Sequence, residues 1–273
     1  MGTVITVRTA DRRVTVTRSP IARPVLAVIA VLGVVVSPAC ARSVAGPSRL
    51  LSRLGGVVDD AAAPPADLGQ VVAAVVDIDT TLARRHAVGA GTGIVLDSLG
   101  LVLTNNHVIE GATAISATDV GNARTYTARV VGHDHRHDIA LLQLRGASGL
   151  ATAPLGDSSQ VAVGDRVVGI GNAGGRGGVP SQAPGTVSAL NQTVSARDDL
   201  THRSEVLTGL IQIAAAVRPG DSGGPLVTGG GQVIGIDTAA SDSYRVERAQ
   251  GGQGFAIPID EALQIAHQLA PQR

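Results

Sequence analysis

A serine lies in the glycine-rich run Gly220-Asp221-Ser222-Gly223-Gly224. A turn of this kind exposes the serine hydroxyl and directs backbone N–H groups toward whatever the hydroxyl attacks. A neutral hydroxyl is a poor nucleophile, so it needs a neighbouring base to take its proton. His107 follows the apolar run Leu101–Leu103, and Asp138 opens the apolar run Ile139–Leu142. These residues could supply a nucleophile, a base and a carboxylate that orients the base.

The order of these three residues along the chain is His107, Asp138, Ser222. This is the order of the chymotrypsin-type triad, and it differs from that of subtilisin and of the α/β-hydrolases. Each residue alone has an ordinary explanation, since histidines often lie on surfaces and Asp and Gly-Asp-Ser-Gly are common in turns. Their joint occurrence in this order, each beside a suitable apolar run, predicts a serine protease.

The same segment would stabilise the negative oxygen of a tetrahedral intermediate. We expect the oxyanion hole to lie at Gly220, Asp221 and Ser222, with the backbone N–H groups of Gly220 and Ser222 as the donors. Glycine suits position 220, because a side chain would hinder the turn that points this N–H inward.

The composition limits the alternatives. The chain has 273 residues and a formal net charge of zero, which gives no electrostatic reason to expect a nucleic acid partner. It has a single cysteine, Cys40, so neither an intrachain disulfide nor a C-x-x-C metal site can form. Aromatic residues are nearly absent, and the core must therefore consist of Val, Ile, Leu and Ala.

From Val71 to Ile257, short apolar runs alternate with turn residues, a pattern that indicates an all-β protein. His107 falls in the first half of this region and Ser222 in the second, which favours two β-barrels, about residues 70–155 and 156–258, with the site between them. A C-terminal helix over 260–270 is predicted from an N-cap at Asp260 and an apolar stripe. The stripe comprises Leu263, Ile265, Ala266 and Leu269.

The N-terminal segment resembles an export signal. Five arginines precede the apolar stretch Val25–Val36, and the small-residue run Ala39-Cys40-Ala41 follows. Residues 1–41 are therefore predicted to be a signal peptide, or a membrane anchor if they are not cleaved. Residues 42–67 read as a flexible linker, and 68–273 as the protease domain. This organisation predicts an exported protein that is secreted, held in the periplasm or cell envelope, or tethered to the membrane.

Several segments together resemble the trypsin-like serine proteases of the HtrA/DegP type, particularly their secreted actinobacterial (mycobacterial) branch. The segments are Gly91–Val95, Leu103–Ile109, Asp138–Leu142, Ile170–Asn172, Pro219–Leu226 and Gly254–Pro258. The resemblance implies a double β-barrel of the chymotrypsin/trypsin type and endopeptidase activity on unfolded or exported polypeptides. It implies no metal, no cofactor and no zymogen cleavage.

The resemblance also suggests how substrate is bound. Ala216, six positions before the nucleophile, would lie at the base of the pocket for the P1 side chain, the one that precedes the cleaved bond. Asp237, Thr238 and Ala239 would line that pocket and pair with the substrate backbone. Because Ala216 is not acidic, cleavage after Arg or Lys is disfavoured, and the family implies small aliphatic P1 residues.

Two departures from the family pattern stand out. The chain stops short of a PDZ domain, which puts regulation by such a domain in doubt and leaves a homotrimer open. Residues Ala214-Ala215-Ala216 replace the usual Asp-Ala-Ala, which bears on the order of the loop before the nucleophile.

Two rival interpretations remain at this point. His133, His135 and His137 alternate, a spacing that could hold Zn²⁺ or Cu²⁺ on one face of a strand, although Gly132, Asp134 and Arg136 suggest a polar turn. Alternatively, the protease domain is dormant and acts as a chaperone or peptide-binding module.

Overall fold

The computed structural model describes residues 68–82, 87–198, 203–238, 244–246 and 252–270. The signal or anchor expected in 1–41, the linker expected in 42–67 and the site residue Ala239 lie outside these ranges. None of the helices within the described ranges has the length and apolar character needed to cross a membrane.

Six antiparallel strands of the first half form a closed barrel. They are β1 (Val75–Leu82), β2 (Ala87–Val95), β3 (Leu101–Thr104), β4 (Ala114–Asp119), β5 (Thr125–Asp134) and β6 (Ile139–Leu144). Their order around the barrel is β1-β2-β3-β6-β5-β4. A short helix, α1 (Gly69–Ala73), precedes the barrel, and a second, α2 (Asn106–Ile109), follows β3.

The second half forms another antiparallel ring. Its strands are β7 (Arg166–Gly171), β8 (Ser181–Asp198), β9 (Arg203–Ala214), β10 (Pro225–Thr228), β11 (Val233–Asp237), β12 (Tyr244–Val246) and β13 (Gly254–Pro258). The order β8-β7-β10-β11-β13-β9 closes through pairing of β9 with β8, and β12 adds to β8. The chain continues from β13 into helix α3 (Ile259–Leu269).

Aliphatic side chains fill each barrel, as the scarcity of aromatic residues predicts. Val76, Ile78 and Leu142 belong to the core of the first barrel, and Ile213 and Leu226 to that of the second. A third cluster combines residues of both barrels with the inner face of α3. Its fully buried members include Ile94, Leu103, Ile139, Ile170, Ile236 and Ile259. Each such side chain stabilises the fold by about 1.5–3 kcal/mol relative to exposure.

The backbone of the nucleophile segment is bonded directly to the first barrel. Thr92, in β2, donates its N–H to the carbonyl of Ser222 at 2.8 Å. Its hydroxyl donates to the carbonyl of Gly220 at 2.7 Å and accepts from the N–H of Asn172 at 2.9 Å. Thr104, at the end of β3, donates its hydroxyl to the Thr92 carbonyl at 2.6 Å. We call these contacts the Thr92 clasp. Through them, β2 and β3 fix the position of the Gly220–Ser222 segment.

The predicted all-β double barrel with a C-terminal helix is confirmed, but three local expectations differ. The helix begins at Ile259 rather than after an Asp260 cap; Pro258 is the N-cap and makes no side-chain cap bond. Asp260 lies in the first turn and accepts from the N–H and hydroxyl of Ser158 at 3.0 and 2.7 Å. The apolar run at Val71 starts as helix α1 before it becomes β1, and the apolar runs of the sequence predict neither β4 nor β12.

We predict that Thr92→Val, which keeps the shape but removes the hydroxyl, lowers the free energy of unfolding by about 2 kcal/mol or more. The buried Gly220 carbonyl and Asn172 N–H would each lose a partner, and an unsatisfied buried group costs about 1–3 kcal/mol. Urea unfolding monitored by circular dichroism measures the change.

The matched control is Thr118→Val, because among the described residues the Thr118 hydroxyl bonds to that of Thr125 alone, at an exposed position. Equal effects of the two substitutions would contradict the role given to the Thr92 clasp.

Candidate active site

His107 is held by the turn that ends β3. Asn105 is the N-cap of α2, and the helix then carries His107 as its second residue. The imidazole side chain is only 2% exposed. This short helix therefore fixes the backbone of His107 directly beside the end of a buried strand.

Asp138 closes the turn between β5 and β6. Its φ is +54°, a left-handed conformation that is uncommon outside glycine, although Asp and Asn adopt it more readily than most residues. Its carbonyl accepts from the side-chain amide of Asn105 at 3.0 Å and from the N–H of Asn106 at 3.2 Å. The residues beside His107 thus hold the backbone of Asp138 in place.

The carboxylate of Asp138 makes three hydrogen bonds and is completely buried. Oδ2 lies 2.8 Å from Nδ1 of His107, and Oδ1 accepts the backbone N–H of His107 at 2.9 Å. The hydroxyl of Thr238, at the end of β11, donates to Oδ2 at 2.9 Å. The contact between the Asp138 carboxylate and the His107 ring is therefore fixed at both residues. In this orientation Nε2 of His107 points away from the carboxylate.

Ser222 is buried, with 1% exposure, in the turn between β9 and β10. The next N–H, that of Gly223, donates to the carbonyl of Asp237 at 2.8 Å, and the N–H of Asp237 donates to Gly224 at 2.8 Å. The Ser222 carbonyl is held by the Thr92 clasp. Both barrels thus fix the nucleophile segment, from one side through β2 and from the other through β11.

The structure separates the three residues expected in the oxyanion hole. Gly220 has a φ of +98°, and a Cβ there would collide with the carbonyl oxygen of Asn172, so only glycine fits. Within the described ranges the N–H of Gly220 has no acceptor, whereas the N–H of Asp221 donates to the Arg218 carbonyl at 3.0 Å. Asp221 is therefore the wrong member of the expected set, because its N–H is engaged in the turn.

Asp221 instead orders the loop before the nucleophile through its side chain. Its carboxylate accepts the N–H of Arg218 at 2.9 Å and the hydroxyl of Ser181 at 2.9 Å. Burial raises the pKa of the Asp221 carboxyl above its ordinary value, and the two hydrogen bonds act in the opposite direction. This loop has the Ala-Ala-Ala sequence, and Asp221 is an internal anchor for it.

The residues expected to bind substrate lie in different environments. Ala216 is exposed, whereas Ala215 before it is buried in the core of the second barrel and Val217 after it packs against that core. Asp237 and Thr238 are fully buried beside the nucleophile segment.

From the sequence, Asp237 is expected only as part of the pocket lining. The structure adds that its carboxyl group is buried without hydrogen-bond partners among the described residues. Burial, followed by the nearby carboxyl of Asp221, raises the pKa of Asp237 well above its ordinary value of 3.8.

The three alternating histidines do not converge. His133 and His135 line a cavity of about 350 Å³ beside α2, and Nδ1 of His135 lies 3.3 Å from the side-chain nitrogen of Asn106. His137 is nearly half exposed and pairs with Asp134 at 2.8 Å. Within the described ranges, no three His, Cys, Asp or Glu side chains form a group that could hold a metal ion.

We predict that Asp237→Asn stabilises the protein at neutral pH relative to the wild type. A raised pKa means that the stabilising contribution of the protonated carboxyl is complete below about pH 3.8 and is lost as the pH rises through the raised value. The amide has no such dependence, so the advantage of the variant should grow by up to about 1.4 kcal/mol per pH unit in that window. Urea unfolding between about pH 4 and pH 8 measures the difference, and a difference that does not vary with pH would contradict it.

Two closed antiparallel barrels with a nucleophile segment between them define the class of chymotrypsin-like double-barrel proteins. A family model described as "Trypsin-like peptidase domain" matches residues 91–236. That is more than half of the 273 residues, and the chain belongs to this family.

The curated relatives are HtrA-type serine proteases. Serine protease PepD of Mycobacterium tuberculosis is 37% identical over 255 residues, which cover 84% of this chain and 52% of the relative. Putative serine protease HhoA of Synechocystis is 37% identical over 188 residues, covering 68% and 44%. The chain thus spans about half the length of the curated relatives it matches.

The fold is also similar to that of solved HtrA-type proteases. The structure titled "HtrA-type protease AlgW with tripeptide" has a TM-score of 0.60 and 31% sequence identity, and the match covers 74% of this chain and 62% of that one.

Proposed function

We propose that the protein is a serine endopeptidase that uses Ser222 as nucleophile, His107 as general base and Asp138 as the group that orients His107. The observation that carries this proposal is the double contact of Asp138 with His107, at 2.8 Å to Nδ1 and 2.9 Å to the backbone N–H. A carboxylate in this position keeps the proton on Nδ1, so that Nε2 is the basic nitrogen.

In the first half of the reaction, Ser222 Oγ bonds to the carbonyl carbon of the peptide while His107 Nε2 takes the hydroxyl proton. His107 then gives that proton to the departing amine, the C–N bond breaks, and an acyl-enzyme remains. In the second half, His107 takes a proton from water, and the hydroxide oxygen bonds to the acyl carbon. The ester bond breaks, and the proton returns to Ser222 Oγ.

Asp138 stabilises the imidazolium that forms in both halves, and Thr238 positions Asp138 through its hydrogen bond to Oδ2. The negatively charged oxygen of the tetrahedral intermediate would accept hydrogen bonds from the backbone N–H groups of Gly220 and Ser222. Loss of one such donor typically slows turnover by about a hundred- to a thousandfold.

The relatives support a polypeptide substrate, since they are named serine proteases and one similar structure is described with a bound tripeptide. Because the N–H and the carbonyl of Asp237 already bond to Gly224 and Gly223, an extended substrate that adds as a further strand would pair with the chain beyond Asp237. We propose that the protein cleaves unfolded or exported polypeptides. We also propose a homotrimer, which light scattering of the purified protein tests.

We predict that Ser222→Ala and His107→Ala each remove most hydrolysis of an unfolded protein, and that the double variant is little worse than either single one. The two groups act as a unit, so their losses do not add. Initial rates of casein hydrolysis by the purified 42–273 segment measure all three variants, with Thr118→Val as a folded control.

Covalent labelling by a fluorophosphonate separates this proposal from a dormant peptide-binding domain. Labelling at Ser222 that is lost in Ser222→Ala supports the enzyme. Clearly additive losses in the double variant, or no labelling of the wild type under any condition, would contradict the proposed roles of Ser222 and His107.

We also propose export, because residues 1–41 have the composition of a signal and a relative from Haemophilus influenzae is named a probable periplasmic serine protease. We predict that the full chain, expressed in a bacterial host, is found outside the cytoplasm with a new N-terminus after the Ala39-Cys40-Ala41 run. N-terminal sequencing of the fractionated protein checks this. An intact Met1 on a membrane-bound protein would instead indicate a retained anchor, and a cytoplasmic protein would contradict export.

A further inference from the structure

The loop that follows β7 lies against the nucleophile segment, and we call its residues 172–178 the Asn172 loop. The N–H of Gly174 donates to the carbonyl of Pro219 at 2.7 Å. A Cβ at Gly220 would collide with the carbonyl oxygen of Asn172, so these two backbones are in close contact. The direction of the Gly220 N–H, one of the two donors expected in the oxyanion hole, therefore depends on where the Asn172 loop lies.

This loop needs contacts with the rest of the fold to hold one conformation. Its four glycines have positive φ, and such a segment has many accessible backbone conformations; they are Gly174, Gly175, Gly177 and Gly178. At its start, the N–H of Asn172 donates to the Thr92 hydroxyl at 2.9 Å. The side chain of Asn172 accepts the N–H of Gly177 at 2.8 Å. The Thr92 clasp thus fixes the first residue of the loop.

Asp77, in β1 of the first barrel, holds the other end of the loop. Its Oδ2 accepts the N–H of Gly178 at 3.0 Å. A Cβ at Gly177 would lie 3.5 Å from the same oxygen. The two ends of the Asn172 loop are therefore tied to neighbouring strands of the first barrel, to β2 through Thr92 and to β1 through Asp77.

The register of the sheet directs both side chains toward the loop. Asp77 is paired with Thr92 across β1 and β2, so their side chains lie on the same face of the sheet. Val76 and Ile78, on either side of Asp77, belong to the core of the first barrel, so that face is the outer one. Asp77 is nevertheless only 3% exposed, which shows that its outward-facing carboxyl group is covered.

The carboxyl group is a poor source of stability in this place. Among the described residues its Oδ1 has no hydrogen-bond partner. Burial raises the pKa of Asp77 above its ordinary value; the Gly178 N–H opposes this shift and the carboxyl of Asp79 adds to it. Burying an acid with one of its oxygens unsatisfied costs free energy, so the bond to Gly178 is the contribution that distinguishes this acid.

We propose that Asp77 is a positioning residue for the oxyanion hole. By accepting the Gly178 N–H, it holds the Asn172 loop against the nucleophile segment and keeps the Gly220 N–H directed at the reacting oxygen. This inference rests on the proposed protease function and deepens it, because it adds a residue whose described hydrogen bond goes to the loop and not to the triad.

The test is the rate at which a fluorophosphonate labels Ser222 in the full chain. When Ser222 Oγ bonds to phosphorus and fluoride leaves, the phosphoryl oxygen takes the place of the peptide oxygen in the oxyanion hole. Asp77→Ala should lower the rate constant at saturating probe by about 10- to 100-fold, since a misplacement of about 1 Å caused far from the chemistry can cost about a hundredfold. The half-saturating probe concentration should change little.

Two further substitutions at this position separate the hydrogen bond from packing and charge. Asp77→Asn keeps an oxygen that accepts the Gly178 N–H, and it should label at nearly the wild-type rate. Asp77→Leu has a similar size but no acceptor, and it should be as slow as Asp77→Ala; it also replaces that variant if the smaller side chain prevents folding.

Stability and labelling should change independently. The stabilising contribution of the protonated Asp77 carboxyl is complete below about pH 3.8 and is lost as the pH rises through its raised pKa. At neutral pH the uncharged Asp77→Asn and Asp77→Leu should therefore unfold at urea concentrations no lower than the wild type. A residue with a merely structural role would lose labelling only together with stability.

The matched control is Asp119→Ala. Asp119 is likewise a buried acid with a pKa raised by burial, one oxygen of which accepts a backbone N–H, that of Asn122 at 2.8 Å. Its Oδ2 has no partner among the described residues. Because Asp119 orders the turn between β4 and β5 and not the Asn172 loop, this variant should label at the wild-type rate.

The outcomes distinguish this proposal from the protease function beneath it. Labelling of Asp77→Ala and Asp77→Leu at the wild-type rate would overturn the positioning role and leave the protease intact. Equal losses in Asp77→Asn and Asp77→Leu, or an equal loss in Asp119→Ala, would also overturn it, because the bond to Gly178 would then not be the cause. A wild type that is never labelled would reject the protease, and the positioning role with it.

Discussion

The carboxylate of Asp138 is the point on which the arrangement of the two barrels around the site depends. It is buried without exposure, and burying a charge costs several kcal/mol unless hydrogen bonds compensate. The compensation comes from two different parts of the fold: His107 in α2 of the first barrel and Thr238 at the end of β11 of the second. If the barrels moved apart, the carboxylate would lose the hydrogen bond from Thr238, so the residue that contacts His107 also links the two halves.

The Thr92 clasp extends this constraint to the nucleophile. Thr92 belongs to β2, yet its backbone and side chain bond to Ser222, Gly220 and Asn172, all in the second half of the chain. Thr104, three residues before His107, completes the clasp from β3. The residues that hold the base and those that hold the nucleophile are therefore linked by a few hydrogen bonds. This link connects the segments of the two residues proposed to be catalytic, His107 and Ser222, which are 115 positions apart in the sequence.

Much of this could be predicted from the sequence, because strands that are buried and bounded by turn residues leave a clear signal. The apolar runs that begin at Leu101 and Ile139 fall in β3 (Leu101–Thr104) and β6 (Ile139–Leu144). The sequence did not predict β4, because its buried positions include Asp119, which interrupts the apolar alternation of Ile115 and Ala117. At Val71 the run is apolar without a period, and such a run does not distinguish a helix from a strand.

The site shows the same division between local and long-range information. His107, Asp138 and Ser222 are recognisable because their chemistry and order are local features of the sequence. The direction of a loop side chain is not local: Ala215 and Val217 lie against the barrel core, and Ala216 between them is exposed.

The lack of hydrogen-bond partners at Asp237 is likewise invisible in the sequence, since it depends on what the surrounding strands do not provide. From sequence alone, an acid after an apolar run could be an ordinary turn residue. The closed barrel shows that, among the described residues, no donor reaches its carboxyl group.

The three buried carboxyl groups near the site differ in how many hydrogen bonds they accept. Asp138 accepts three hydrogen bonds and Asp221 accepts two, and each of these bonds connects segments that must stay together. Among the described residues the Asp237 side chain connects nothing, and its backbone alone pairs with Gly223 and Gly224. Removing its charge would therefore relieve the fold rather than weaken it. A buried acid without partners opposes folding when it is ionised, which is why burial raises its pKa.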